Sequence, residues 1–245
     1  MSPSAWDLNC DLGEQESPSR TRSLMRWITS ANIACGGHAG TVESMERCVH
    51  LAAKAGVRLG AHPGPWDRAN MGRGHLALSP SELELLLLQQ VSALAQLARR
   101  ANSRLHHIKL HGGLYHAVEG CTLLAKAYVR IVQERWPRLK IYARHGGEVS
   151  RVGALQPHGI TIWEEAFVDR GYTAGGNLIP RGEVGALLET KKELRERLRQ
   201  ICDEGRIRTR EGNWIPSRPR TLCIHGDTPA APKLVRWAHE ALRLS

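Results

Sequence analysis

Residues 30–40 read SANIACGGHAG, and the character of the chain changes half-way along them. The first six residues are small and mostly apolar, which is typical of a buried β-strand. The next five, GGHAG, place His38 in a glycine-rich loop where the strand ends. Thr41 can then cap a helix over residues 41–55, and Gly56 can end it. The stretch therefore predicts a strand, a loop and a helix, with an imidazole at the carboxyl end of the strand.

The same strand-and-helix pattern recurs along the whole chain. A cap at Ser79 begins another predicted helix, and further helices are predicted over residues 117–136, 184–204 and 228–244. Residues 205–220 are predicted as a loop or an irregular hairpin. The seven strand-like runs are AWDLNC (5–10), ANIAC (31–35), VRLGAH (57–62), HHIKLH (106–111), LKIYAR (139–144), ITIWEEAF (160–167) and TLCIHGD (221–227).

Strands that alternate with helices indicate a parallel sheet with helical crossovers. The first strand is not followed by GxGxxG, which argues against a dinucleotide-binding fold. No linker or shift in composition divides the 245 residues. We therefore predict an α/β fold with one domain over residues 1–245, a seven-stranded parallel (β/α) barrel.

The composition restricts the classes of partner. The formal net charge is +10, but the basic residues alternate with glutamate in helical segments such as residues 191–200, which is typical of a solvated helix face. We expect no binding of nucleic acid, and an anionic small molecule suits the charge better. No apolar run is long enough for a membrane span, and the first residues lack the pattern of a signal peptide. We therefore expect a cytoplasmic protein whose six cysteines, none in a CxxC motif, are reduced.

Polar and charged residues gather where the predicted strands end. In (β/α) barrels, the carboxyl ends of the strands and the loops after them form the active site. Side chains two residues apart share one face of a strand, and charges are less costly in the lumen than against the helices. The alternating sets predicted to face the lumen are Asp7, Asn9 and Asp11, Lys109 and His111, and His225 and Asp227. The other strand-end groups are His38, His62, His145, Asp169 and Arg170.

Acids, imidazoles and a lysine at one barrel mouth suit hydrolysis, which uses a general base, a general acid and a cation for the developing oxyanion. The residues alone leave structural alternatives open: a hydrogen-bonded histidine at each strand end, and an ion pair between Lys109 and Asp11. The candidate catalytic residues are Asp11, His62, Lys109, His111, His225 and Asp227.

Other polar residues are candidates for binding. Guanidinium groups clamp carboxylates and phosphates, and the glycines of residues 36–40 are expected to let backbone amides and His38 approach a small anionic ligand. A carboxylate with several imidazoles also resembles a divalent-metal site, although no HExxH motif is present. The candidate binding residues are Asn9, Asn32, His38, Arg73, Tyr115, Asp169, Arg170 and Arg181, and the candidate metal ligands are Asp11, His38, His62 and His111.

Eight blocks in a fixed order resemble the LamB/YcsF family, whose characterised members are the A component of the multi-subunit, ATP-dependent 5-oxoprolinase. Four departures from the family pattern lie at the predicted mouth: Gly37 replaces an aromatic residue, Thr41 an acid, Gly74 an arginine and Leu110 a proline. The blocks are DLNCDLGE (7–14), SANIACGGHAG (30–40), GAHPG (60–64), GRG (72–74), KLHGGLY (109–115), EAFVDRGY (165–172), IPRG (179–182) and CIHGDTP (223–229).

The resemblance implies a barrel of the glycoside hydrolase/deacetylase type. It also implies cleavage of 5-oxoproline (pyroglutamate) to L-glutamate, coupled to ATP hydrolysis and carried out with two partner subunits. The chain lacks GxxxxGK[ST], so ATP is expected to bind through other contacts or at a partner interface. Whether the protein binds a divalent cation, and whether it forms a homo-oligomer, are left open by the sequence. The alternatives are a metal-dependent deacetylase or amidohydrolase that acts alone, and a non-catalytic binding subunit.

Overall fold

The computed structural model describes residues 6–155 and 159–242. Seven parallel strands close into a barrel in the order β1-β2-β3-β4-β5-β6-β9, and β9 pairs with both β1 and β6. The predicted seven-stranded parallel (β/α) barrel is therefore confirmed. The strands are β1 (Asp7–Leu12), β2 (Ser30–Ala34), β3 (Arg58–His62), β4 (Leu105–Lys109), β5 (Lys140–Arg144), β6 (Ile162–Phe167), β7 (Arg206–Arg208), β8 (Trp214–Pro216) and β9 (Thr221–Ile224).

Helices follow most of the barrel strands, and three of them begin with a reciprocal side-chain cap. Thr41, Ser79 and Thr190 each accept a hydrogen bond from the backbone of the third helical residue, whose side chain bonds back to the cap. The caps predicted at Thr41 and Ser79 are thus confirmed. The helices are α1 (Pro18–Met25), α2 (Val42–Ala55), α3 (Pro80–Arg100), α4 (Gly112–Glu119), α5 (Thr122–Arg135), α6 (Glu148–Ala154), α7 (Lys191–Cys202) and α8 (Ala231–Leu242).

The helix predicted over residues 117–136 is confirmed as α5 over residues 122–135, but its start is wrong, because residues 117–119 belong to α4 and the chain breaks between the two helices. Cys121 lies between them with an extended backbone (φ −138°, ψ 111°), and Gly120 before it ends α4. Glycine loses more backbone entropy in a helix than any other residue, so it favours the break. The sequence pattern also gave no sign of the short helices α1 and α6.

The first part of the helix predicted over residues 184–204 is also wrong. Gly185 has φ +78°, and the backbone around it pairs with the loop after β6: Gly171 N–H donates to Ala186 O (3.0 Å) and Leu188 N–H to Asp169 O (2.9 Å). These bonds satisfy the backbone outside a helix, so α7 begins only at Lys191.

The hairpin predicted over residues 205–220 is confirmed by the antiparallel pair β7 and β8. The last helix begins at Ala231 rather than at residue 228. Residues 243–244 of this predicted helix lie outside the described residues. The same holds for residue 5 of the first predicted strand, AWDLNC. All six cysteines are free thiols. Within residues 6–155 and 159–242, no helix has the length and apolar character needed to cross a membrane.

The amino-terminal part of the lumen is filled by a polar network around Asp7. Its Oδ1 accepts hydrogen bonds from Ser30 (2.6 Å) and Arg58 (3.0 Å), and its Oδ2 accepts bonds from Tyr142 (3.0 Å) and Thr221 (2.5 Å). Every polar atom of this carboxylate is therefore occupied by the protein. The network fills the lumen on this side with the protein's own polar groups.

A pH effect on stability follows from His106, a partly buried imidazole on β4. Its Nε2 accepts a hydrogen bond from the Lys140 ammonium (3.0 Å). Burial, followed by the charges of Lys140 and Arg58, lowers the pKa of His106 from 6.5 to about 4. The unfolded chain thus takes up this proton first, so the stability that neutral His106 provides is complete above about pH 6.5 and is lost as the pH falls to about 4.

We therefore expect His106→Gln to make the unfolding free energy fall less steeply between pH 6.5 and 4. Urea denaturation at fixed ionic strength measures this slope, and His50→Gln on the exposed face of α2 is the matched control. Identical slopes in wild type and His106→Gln would contradict the assignment.

Candidate active site

A cavity of about 490 Å³ opens at the carboxyl ends of the barrel strands. This volume lies in the range of small-molecule sites. Its wall is formed by the ends of β1, β3 and β4 and by the loops after β3, β6 and β9. Leu110, one of the departures from the family pattern, is part of the wall. The predicted site residues that line it are Asp11, His62, Arg73, Lys109, His111, Tyr115, Arg170, Arg181 and His225.

The Lys109 ammonium is held at the base of the cavity by buried acceptors. Nζ lies 3.0 Å from Asp11 Oδ1, 3.3 Å from Glu165 Oε2, 3.3 Å from Asn9 Oδ1 and 3.0 Å from Cys223 Sγ. Burial opposes the charge, but Asp11, Cys223 and Glu165 outweigh it and raise the pKa of Lys109 well above its usual value. The ion pair between Lys109 and Asp11 is present, and it makes Lys109 a fixed cation at the cavity wall.

Asp11 connects Lys109 to the imidazoles of the site. Burial alone would raise the pKa of Asp11, but His62 and Lys109 lower it well below its usual range. Asn32 donates to Asp11 Oδ1 (2.7 Å) and to Asn9 Oδ1 (2.8 Å). Both asparagines are fully buried beneath the cavity rather than on its wall. They contact Asp11 and Lys109, and their direct binding of a substrate stays a prediction.

Three imidazoles surround the Glu14 carboxylate, and we call these four residues the imidazole cluster. Glu14 Oε1 lies 2.9 Å from His38 Nε2, 3.5 Å from His62 Nε2 and 3.0 Å from His111 Nδ1. Burial opposes the ionised carboxylate, but bonds from His111 and then His38 lower the pKa of Glu14 well below its usual range. Asp11, the carboxylate predicted among the metal ligands, lies 3.5 Å from His62 Nε2 and outside this cluster.

The loop of residues 36–40 is packed against the protein itself. A Cβ on Gly37 would lie 2.3 Å from Gly64 O and 2.6 Å from Gln90 Nε2, so the Gln90 side chain occupies this space. His38 is fully buried and turned to Glu14. The close contact that requires glycine at position 37 is thus with the chain's own Gly64 and Gln90, and the approach of this loop and His38 to a small anionic ligand stays a prediction.

His225 and Asp169 form a dyad on the opposite side of the cavity. His225 Nδ1 lies 3.0 Å from Asp169 Oδ2, and the His225 backbone N–H donates to the same oxygen (3.0 Å). Burial opposes the Asp169 charge, but His225 outweighs it and lowers the pKa of Asp169. Because a carboxylate accepts hydrogen bonds, the bond places the His225 proton on Nδ1 and leaves Nε2 able to accept one. Asp169 thus orients His225, and its predicted contact with the substrate stays a prediction.

Two arginines from different loops meet at the carboxylate of Asp227. Arg73 Nη2 lies 2.5 Å and Arg181 Nη1 3.1 Å from Asp227 Oδ2. Both arginines line the cavity, whereas Asp227 lies behind them. Asp227, predicted to be catalytic, thus joins two cationic side chains at the mouth. Arg170 also lines the cavity, but its guanidinium donates to the carbonyls of Ala186 (3.0 Å) and Ile179 (2.6 Å) and fixes the loop.

Tyr115 lies on the wall of the cavity, whereas His145 lies away from it. Tyr115 is buried at the cavity wall, and its hydroxyl has no hydrogen-bond partner among the described residues. Burial raises the pKa of Tyr115 well above its usual value, which keeps the hydroxyl protonated. His145 pairs with Glu164 (2.7 Å) and does not line this cavity.

Sequence analysis did not assign a role to Glu14 or Glu165, although both lie in the quoted blocks. Glu165 has the same parity as Asp169 along the chain, and strand alternation applied to β6 predicts that it faces the lumen. Glu14 lies in the loop immediately after β1. The position of Glu14 beside three imidazoles depends on how four loops pack, and no local pattern shows it.

A sequence model of the LamB/YcsF family matches residues 6–245. The chain belongs to the LamB/YcsF family. Its fold is similar to that of a lactam utilization protein from Thermus thermophilus, with 33% identity over 98% of this chain and 96% of that chain, and a TM-score of 0.88. The resemblance drawn from the eight sequence blocks is thus confirmed.

A more distant structure shows how widely the barrel is shared. A protein of Enterococcus faecalis V583, described as a cellobiose-phosphate cleavage protein, is 12% identical over 95% of this chain and 88% of that chain, with a TM-score of 0.51. At this identity the similarity concerns the fold alone. The chemistry of this family member must therefore be argued from its own cavity.

Proposed function

We propose that this chain is the hydrolytic A component of an ATP-dependent 5-oxoprolinase, which opens the lactam of 5-oxoproline to L-glutamate. One observation carries the proposal: a histidine oriented by a carboxylate and a buried ammonium line the same cavity, at whose mouth two arginines meet. These are the groups that hydrolysis of a small anionic amide requires. Family membership and the similarity to a lactam utilization protein support the choice of a cyclic amide.

The substrate carries a carboxylate and a ring carbonyl at opposite ends, and the cavity offers a cation for each. Arg73 and Arg181 at the mouth match the carboxylate, because guanidinium groups bind carboxylates through paired N–H bonds. Lys109 at the base matches the carbonyl oxygen, on which negative charge develops when water attacks. A buried, fixed ammonium stabilises that charge without reorganisation of solvent.

His225 is the proposed general base. Its Nε2 takes a proton from water while the water oxygen bonds to the ring carbonyl carbon, and Asp169 stabilises the imidazolium that forms. When the carbon–nitrogen bond breaks, the proton passes from His225 to the departing ring nitrogen, which becomes the amino group of glutamate. The ring opens with the addition of one water molecule.

The need for ATP follows from the substrate, since a five-membered lactam is a stable amide. Transfer of the terminal phosphoryl group of ATP to the carbonyl oxygen would release ADP and make the ring carbon more electrophilic. Addition of the first water and cleavage of the carbon–nitrogen bond would then leave a glutamyl phosphate, which a second water molecule hydrolyses to glutamate and inorganic phosphate. Lys109 and the arginines are complementary to phosphoryl oxygens as well. The chain carries no GxxxxGK[ST] motif. We therefore propose that ATP is bound together with two partner subunits.

Glutamate release from 5-oxoproline tests the proposal. The assay compares the chain alone, the chain with candidate partner subunits, and each of these with and without ATP. We expect turnover only in the assembly with ATP. The absence of turnover in every combination would contradict the proposal and favour a non-catalytic binding subunit.

A metal-dependent amide hydrolase that acts alone is a second candidate, favoured by the four potential ligand atoms of the imidazole cluster. The same assay separates it from the first. Hydrolysis by the chain alone that does not require ATP and is lost on chelation would favour this candidate and contradict the ATP-dependent reaction.

Arg181→Met is expected to raise the KM for 5-oxoproline about 10–100-fold and to change kcat less, because a charge-assisted bond contributes about 1.5–3 kcal/mol. Steady-state kinetics of the reconstituted assembly measures both constants. Arg236→Met, on the exposed face of α8, is the matched control. An unchanged KM in Arg181→Met would exclude this arginine as the carboxylate-binding group.

A further inference from the structure

We infer that the imidazole cluster is a four-ligand binding site for a divalent transition-metal ion, with zinc as the expected ion. The ligand atoms are Glu14 Oε1, His38 Nε2, His62 Nε2 and His111 Nδ1, which all lie within 4.8 Å of one another. They belong to four segments of the chain: the loops after β1 and β2, the end of β3, and the residue after β4. The inference depends only on this cluster and is independent of the substrate proposed above.

The tautomers of two histidines are fixed by backbone carbonyls. His62 Nδ1 lies 2.8 Å from Lys109 O, and His111 Nε2 lies 2.8 Å from Met71 O. A carbonyl oxygen only accepts hydrogen bonds, so each of these nitrogens carries the proton. The second nitrogen of each neutral ring then has a lone pair directed into the cluster. This arrangement, a ring N–H bonded to a carbonyl behind the ligand nitrogen, is typical of metal-binding histidines.

A metal ion requires both rings in their neutral form, and in that form no donor lies between the inward atoms. His62 Nε2 and His111 Nδ1 are 3.0 Å apart, and both also face Glu14 Oε1, at 3.5 and 3.0 Å. Lone pairs that converge at such distances repel unless a proton or a metal ion lies among them, and in the ion-free cluster the proton that His111 shares with Glu14 takes this place. A metal ion at their centre removes the repulsion.

The distances suit a small tetrahedral site. Zinc bonds to nitrogen and oxygen at about 2.0–2.2 Å, which places neighbouring ligand atoms of a tetrahedron about 3.3–3.5 Å apart. The separations involving Glu14 Oε1 are 2.9, 3.0 and 3.5 Å. Three imidazoles and one carboxylate are ligand types that zinc accepts, whereas magnesium and calcium prefer oxygen ligands.

His38 provides an independent observation. Its side chain is fully buried, its Nδ1 has no hydrogen-bond partner among the described residues, and its ring stacks on His111 with centroids 3.5 Å apart. A buried imidazole bonded only to one carboxylate oxygen is costly. Nε2, which faces Glu14 Oε1, is the nitrogen that would coordinate the metal.

A second group of potential ligands, Asp11, Cys223 and His225, does not support the same inference. The Lys109 ammonium lies 3.0 Å from both Asp11 Oδ1 and Cys223 Sγ. This charge occupies the position that a metal would take and would repel it. The inference is therefore restricted to the imidazole cluster.

Metal titration of the purified chain, first stripped with a chelator, tests the inference without any activity assay. Co²⁺ serves as the spectroscopic probe, and bound Zn²⁺ is counted by elemental analysis after desalting. We expect one ion per chain and the intense visible bands of tetrahedral Co²⁺. Zn²⁺ at a hundredfold excess over its Kd is expected to raise the Tm by about 5–10 °C.

Variants locate the ion. His111→Ala is expected to weaken binding more than about 100-fold, and Glu14→Gln, which preserves shape, is expected to alter the Co²⁺ spectrum. His50→Ala, which removes an exposed imidazole from α2, should leave both unchanged. Circular dichroism of the metal-free variants confirms that each is folded. Failure of wild type to retain stoichiometric Zn²⁺ or Co²⁺, unchanged binding in His111→Ala, or the weak bands of octahedral Co²⁺ would overturn the inference.

Discussion

Lys109→Met is expected to abolish turnover of the assembly and to lower the free energy of unfolding of the chain by about 3–5 kcal/mol. The substitution keeps most of the side-chain volume but removes the cation between Asp11 and Glu165, which are buried within 3.0 and 3.3 Å of Nζ. Two carboxylates would then remain buried without their counter-ion. Urea denaturation measures the loss of stability, and glutamate release measures the rate.

A second variant separates the two effects. Adding Asp11→Asn and Glu165→Gln to Lys109→Met removes the unpaired charges, and we expect it to recover much of the stability but none of the rate. Recovery of turnover together with stability would show that Lys109 is structural. A Lys109→Met chain as stable as wild type would contradict the ion-pair arrangement itself.

His225→Ala is expected to lower kcat about 10²–10⁴-fold, because it removes the group proposed to accept the proton from water. Asp169→Asn is expected to lower kcat as well and to leave KM nearly unchanged, since an amide no longer fixes the His225 tautomer or stabilises its charged form. Steady-state kinetics across pH measures both effects.

Asp169 acts through His225, so its effect must depend on that residue. We expect the double variant Asp169→Asn, His225→Ala to be no slower than His225→Ala alone. His50→Ala, far from the cavity, is the control for the loss of an imidazole. Additive losses in the double variant would show that Asp169 has a separate role.

The barrel could be predicted from the sequence because each strand is a short apolar run followed by a polar strand end, and this pattern recurs in order along the chain. The helices were harder to predict where tertiary contacts overrode the local preference of the sequence for a helix. The pattern over residues 184–204 looks helical, but the backbone near Gly185 is bonded to the loop after β6, so α7 begins seven residues later. Short helices such as α6 carry too few turns to show a period.

The candidate site was predictable as a set of residues at one mouth, but their pairing was not. Alternation along single strands indicated Asp11, Lys109 and His225. It could not show that His225 bonds to Asp169 or that Asp227 joins Arg73 and Arg181, because these partners lie on other loops. Likewise, the glycine at position 37 looked like an opening for a ligand, whereas Gln90 fills the space. Such contacts depend on the packed structure.

The formation of glutamate from 5-oxoproline by the reconstituted assembly tests the central claim most directly. The measurement compares wild type with His225→Ala and the control His50→Ala, at equal ATP and equal amounts of the partner subunits. We expect glutamate from wild type and from His50→Ala, and a rate about 10²–10⁴-fold lower from His225→Ala. Equal rates in all three, or no glutamate from wild type, would contradict the assignment of lactam hydrolysis to this cavity.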